Sequence, residues 1–176
     1  MRTRMAAAVS AALVLIILAG CAAPAAAPLT ADQLGNAEYQ SDLTPSKKAK
    51  LVAGKYEEAA APGSASKITV ALVPTSLGLG DLNGDGAGDA AVILASSGGG
   101  SGTFISLHAV VSEKGALRDA GWTNLGDRVQ VKAVTVSAGV VTVNMIKHGP
   151  NDPLCCPTQE ATAKYKLQDG KLVVVP

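Results

Sequence analysis

The chain has 176 residues, 15 Lys and Arg against 14 Asp and Glu, a formal charge of +1, and an aromatic content of 3%. So even a charge balance gives no electrostatic basis for gripping nucleic acid or an anionic surface, and so few aromatics supply no stacking platform for a sugar. The length suits one domain with a core of its own.

In chain order, "MRTRMAAAVSAALVLIILAGC" places Arg2 and Arg4 before a short apolar run that ends in small residues at Cys21. That is the layout of a secretory signal, and the run is too short and too unflanked for a membrane anchor. The segment "LAGC", Leu18 to Cys21, resembles the lipobox of bacterial lipoproteins. The resemblance implies a signal helix over 1–20 that is removed and a Cys21 that carries lipid, so that the protein is held at a membrane. Several acyl chains on one cysteine hold firmly where a single chain binds marginally. Loss of Arg2 and Arg4 would take the formal charge from +1 to −1. "AAPAAAPLT" follows, small and proline-spaced, and reads with Cys21 as a tether over 21–31. Ala22, rather than Asp, after the lipidated cysteine suits an outer membrane if the organism has two membranes.

Residues 32–176 read as one β domain. "KITVALV" sets Ile68, Val70 and Leu72 on one face, and "DAAVILA" is apolar on both faces, as a central strand requires. "GTFISLHAVV" alternates Ile105, Leu107, Ala109 and Val111 against Phe104, Ser106 and His108. "DRVQVKAVTVSAGVVTVNMI" reads as two strands around a turn at 137–139, and "ATAKYKL" points Ala161, Ala163, Tyr165 and Leu167 inward. Asp169-Gly170 is a two-residue hairpin signal. "NAEYQ" and "KLVAGKYEE" are weaker strand candidates, the second with the composition of a short helix as well. No stretch beyond residue 30 sustains a helical period for three turns. The expected fold is all-β: about eight antiparallel strands in a sandwich or an open, barrel-like roll.

"GDLNGDGAGDAAV" interrupts this pattern with Asp81, Asn83, Asp85 and Asp89 in nine positions. Counted from Asp81, oxygen-bearing side chains fall at the first, third, fifth and ninth positions, a glycine at the sixth, and the Ala87 carbonyl at the seventh. Ca²⁺ takes six to eight oxygens in a flexible cage, and clustered carboxylates repel one another without a cation. Asp81, Asn83, Asp85, Ala87 and Asp89 are therefore the candidate ligands of a structural Ca²⁺, which an extracellular module of this kind would bind at about 10⁻⁴–10⁻³ M. An EF-hand needs an acid at the twelfth position, where Val92 stands. The pattern running straight into a strand resembles instead the calcium loops of FG-GAP repeats, here in a single copy.

Cys155 and Cys156, adjacent in "DPLCCPT", are the only cysteines left once Cys21 is lipidated. In an oxidising compartment they bridge each other, stay as thiols, or hold a metal with His148. A bridge between neighbours closes no long loop, so its effect on chain entropy is small. The spacing of one histidine and two adjacent cysteines is unlike that of zinc sites.

An enzyme is not expected. Ser106 and His108 point the same way on a strand, which allows a hydrogen bond, but a nucleophilic site also needs an orienting acid and an oxyanion hole. No G-x-S-x-G turn is present. The lysine-free "SSGGGSG" is a weak phosphate cradle.

Taken in order, "GDLNGDGAGDAAVIL", "GGGSGTF", "NLGDRVQV" and "HGPNDPLCCPTQ" resemble a group of uncharacterised bacterial envelope proteins that share these four segments. The resemblance spans about residues 32–176. It implies the calcium-loop positions Asp81, Asn83, Asp85 and Asp89 and the cysteine pair, and no established activity. The reading from sequence is a lipid-anchored envelope protein with a calcium-stabilised β domain, acting as a non-enzymatic binding or structural module for an unknown envelope partner or ligand. The alternative is a redox, metal-handling or enzymatic role centred on Cys155, Cys156 and His148.

Overall fold

A computed structural model of the chain describes residues 29–176. The signal segment, Cys21 and most of the tether lie outside the described residues. The fold is all-β. A five-residue helix, α1 (Ala31–Gly35), precedes a small hairpin of β1 (Glu38–Gln40) and β2 (Lys48–Lys50). Then come β3 (Lys55–Ala59), β4 (Lys67–Gly80), β5 (Asp89–Ser97), β6 (Phe104–Glu113) and β7 (Ala116–Asp127). They form an antiparallel meander in chain order. A second meander follows, of β8 (Gln130–Ser137), β9 (Val140–Lys147), β10 (Gln159–Gln168) and β11 (Lys171–Val175).

The two sheets face each other. Ile93, Leu107, Val141, Val143 and Tyr165 meet between them with Leu172. Each Val, Leu or Ile so enclosed contributes roughly 1.5–3 kcal/mol. β4 bends where its pairing with β5 slips between Leu72 and Leu77, and its second half passes over β8. Glycines permit that approach: a Cβ on Gly80 would stand 2.7 Å from Val136 Cγ1, and one on Gly78 3.0 Å from Val134 Cγ1. The result is a sandwich with one curled seam, within the sandwich-or-roll class expected.

The five-stranded sheet is buried on its other face too. Leu34, Tyr39 and Leu51 of the N-terminal segment pack there on Val70, Val92 and Leu94. This explains why "DAAVILA" is apolar throughout: Ala91 and Ile93 serve one core, Ala90, Val92 and Leu94 the other. Leu29, the first described residue, is packed, at 9% exposed. Thr30 caps α1, its hydroxyl accepting the Gln33 N–H while Gln33 accepts the Thr30 N–H, a reciprocal pair that satisfies helix-end donors.

"KLVAGKYEE" is not helical. Ala53 and Gly54 take left-handed φ of 50° and 84°, and Val52 bridges back to Lys55, so the stretch turns between strands. The Asp169-Gly170 turn forms as expected, with φ of 47° and 75°.

β7 is the strand that the sequence pattern does not announce. Its register against β6 slips twice, leaving Ala120 and Leu125 without partners. Each extra residue reverses which side of the strand the next ones occupy. Leu117, Asp119, Trp122 and Asn124 thereby stand opposite Ser112, Val110, His108 and Ser106, all on the face covered by the N-terminal segment.

Candidate functional site

The acidic loop joins β4 to β5. Asp81 accepts the backbone N–H groups of Asn83, Gly84 and Gly86, at 3.2, 2.6 and 2.9 Å. Those donors, Gly86 first and Gly84 next, hold its carboxyl below the ordinary value of 3.8. Asp85 accepts from Ala87 N–H at 2.7 Å and from the Asn83 amide at 2.9 Å. Asp89 turns under the loop. It is 1% exposed and bridges Leu82 N–H and Ser112 N–H, both at 2.9 Å, tying the loop base to β6. The donor set is of the kind a hard cation takes, yet in this arrangement backbone N–H groups also satisfy it. Among the described residues no three His, Cys, Asp or Glu side chains gather in a way that could hold a metal ion. Were calcium bound, Asp81, Asn83, Asp85 and the Ala87 carbonyl would be its more exposed donors, with Asp89 beneath them.

The Cys155 and Cys156 sulfurs lie at bonding distance, with Cα atoms 3.7 Å apart, and both residues are exposed. Asp152 organises their loop by accepting Gly149 N–H at 2.8 Å, Thr158 N–H at 2.7 Å and the Thr158 hydroxyl at 2.8 Å. These bonds, the Gly149 one foremost, lower its carboxyl pKa. His148 belongs to the same loop and joins no ligand group with the cysteines.

Three of the sequence segments singled out above converge on Arg128. Its guanidinium donates to the Leu154 carbonyl beside the cysteines at 2.9 Å, donates to the Ser101 carbonyl of the glycine-rich loop, and pairs with Asp127. Asp127 in turn accepts Thr103 N–H at 2.8 Å. One cation thus stitches the rim from which Phe104 projects, 41% exposed.

Beside that rim a cavity of about 170 Å³ opens between the N-terminal hairpin and β6–β7. Leu43, Phe104 and Trp122 give it apolar walls; Gln40, Ser106 and Asn124 give it polar ones. Beneath Ser106 runs a buried polar chain. The Ser106 hydroxyl is 2.9 Å from His108 Nε2, and His108 Nδ1 is 2.9 Å from Asp119 Oδ2. The His108 and Asp119 side chains are 1% and 3% exposed. Trp122 stacks on the imidazole at 5.7 Å and Tyr39 meets it edge-on at 5.5 Å. Asp119 Oδ2 also accepts Gln40 N–H at 2.8 Å, while Oδ1 has no partner among the described residues. Burial, then the charge of Asp119, push the Tyr39 phenol above its ordinary range.

The Ser106–His108 bond is one that strand alternation permits. Asp119 is the residue sequence reasoning missed, because the irregular step at Ala120 breaks the alternation that would place it on one face with Trp122 and Asn124. No family model, no curated protein and no solved structure matches this chain.

Proposed function

We propose that this protein is a lipid-anchored component of a bacterial cell envelope, tethered through Cys21, whose β domain binds a small amphipathic ligand in the cavity over Trp122. The observation that carries the reading is that cavity: apolar walls with a few convergent polar groups are the usual make-up of a ligand site. The near-zero net charge of the chain is consistent with a ligand recognised by shape and hydrogen bonds rather than by charge. The chain has one tryptophan, so its emission reports the cavity directly. Titration with short N-acyl amino-acid amides should shift Trp122 emission saturably, and Phe104→Ala should weaken that binding. Titration without any shift, or a shift that Phe104→Ala leaves intact, would remove the reading.

The Asp81–Asp89 loop is proposed as the calcium-stabilised element, on the strength of its donor set. Chelation by EDTA should lower the melting temperature, and Ca²⁺ but not Mg²⁺ should restore it. An unchanged melt would leave the N–H-satisfied loop as a turn that needs no ion. No helix among the described residues is long and apolar enough to cross a membrane. A redox role for Cys155 and Cys156 is favoured by their exposure at bonding distance. Intact mass before and after reduction checks it: the oxidised pair is two hydrogens lighter.

A further inference from the structure

We infer that Ser106 is a nucleophile towards short acyl esters, with His108 as its base and Asp119 as the positioning acid. The inference rests on the cavity being a ligand site and goes beyond binding. Its physical content is the order of the three groups. Asp119 Oδ2 accepts the hydrogen bond of His108 Nδ1–H at 2.9 Å, which leaves Nε2 as the lone-pair nitrogen facing Ser106 at 2.9 Å. A neutral imidazole in that tautomer can take the hydroxyl proton, and the nearby carboxylate stabilises the imidazolium that results. Tryptophan and tyrosine rings fix the imidazole on two sides.

The nucleophile is reachable. Ser106 lines the cavity, whereas His108 and Asp119 do not. The base is thus shielded from solvent while the hydroxyl meets whatever enters. Asn124 stands directly opposite Ser106 across the ladder, and its Oδ1 accepts Gly126 N–H at 2.8 Å. That bond occupies the amide oxygen and leaves the NH₂ to donate elsewhere, and Asn124 also lines the cavity. It is the side-chain donor available to an oxyanion forming at Ser106. A space of about 170 Å³ walled by Leu43, Phe104 and Trp122 admits a short acyl group rather than a long chain.

The step balances without a cofactor. Ser106 Oγ bonds to the acyl carbonyl carbon as its proton moves to His108 Nε2. The C–O bond to the leaving alcohol breaks, and the alcohol carries that proton away. Water then attacks the acyl-serine, passes a proton to Nε2, and expels Ser106 Oγ, which recovers it. Ester and water become acid and alcohol.

The test uses the full chain with p-nitrophenyl acetate and butyrate, and a fluorophosphonate probe read by intact mass. The expected result is one phosphonyl adduct, mapped to Ser106 and absent in Ser106→Ala, and ester turnover reduced at least 100-fold in Ser106→Ala. Asp119→Asn should lower kcat with KM unchanged, and Asn124→Ala should lower kcat at least 10-fold. Asn124 is exposed, so that variant is expected to fold even where the buried ones do not. Absence of an adduct on the folded wild type, or equal turnover by wild type and Ser106→Ala, overturns the inference. Saturable Trp122 shifts with no adduct would sink the nucleophile alone and keep the binding site. No Trp122 shift with any acyl compound removes both.

Discussion

The two faces of the five-stranded sheet are both buried, yet they differ in kind. Towards the second sheet, Ile93, Leu107, Val141 and Val143 make an apolar layer. Towards the N-terminal segment, alternate positions on the same β6 present Ser106 and His108, and β7 adds Asp119. A strand that needed only to pack would carry valine or leucine at 106 and 108, since buried polar groups cost free energy unless fully paired. The apolar layers on both faces explain why the domain folds. The polar groups set into the second ask for a further reason, and Ser106 among them lines a cavity.

The contrast can be pressed hardest at neighbouring residues. Leu107→Ala should cost about 2–5 kcal/mol, the range for emptying a core leucine site, and should lower the stability of the whole domain in urea denaturation. Asp119→Ala orphans His108 Nδ1–H and Gln40 N–H, at about 1–3 kcal/mol each. Its effect should be local: hydrogen exchange should show residues 29–52 losing protection before the sheets do. Uniform loss in both variants would mean that the N-terminal layer is no separate unit and would break the comparison.

A smaller effect is expected where the sheets meet at their edge. A Cβ on Gly121 would lie 2.8 Å from the Gly170 carbonyl oxygen, a backbone atom that cannot swing away. Gly121→Ala should therefore cost about 1–3 kcal/mol in urea denaturation while leaving binding at the cavity in place.

The smallest effect concerns acid. The folded Asp81 and Asp152 carboxyls both titrate below the ordinary 3.8. Their stabilisation is fully present above that value and fades as pH falls through the lower folded values. Melting temperature against pH should drop below about pH 4 by less in Asp81→Asn than in wild type. Because both carboxyls still reach solvent, an identical acid limb in the variant would show that solvent screening erases the loop's contribution.

Much of the sandwich could be read from residues, and the site only in part. β5, β6 and β10 follow clean patterns because each has a simple job: two cores for β5, one for β10. The Asp169-Gly170 and 137–139 turns were legible because left-handed φ leaves few residue choices. β7 was not. The residues it turns to the side of the N-terminal segment, Leu117, Asp119, Trp122 and Asn124, step by two, three and two, a spacing that matches neither strand nor helix. The short β1 and β2 carry too few residues for a period to show. The acidic loop was visible as donors, but which oxygen each backbone N–H would claim depends on how the loop closes. Asp89's place under the loop depends on Ser112, more than twenty residues away.

The irregular edge of β7 has one more consequence. Without Ala120 and Leu125 the strand would alternate perfectly, with Leu117, Asp119, Trp122, Asn124 and Asp127 still inward. Those two residues therefore do not choose the inward set; they add local twist and bend the strand. Removing both would straighten β7, preserve every inward identity, and change only curvature, which separates how the cavity is shaped from what lines it.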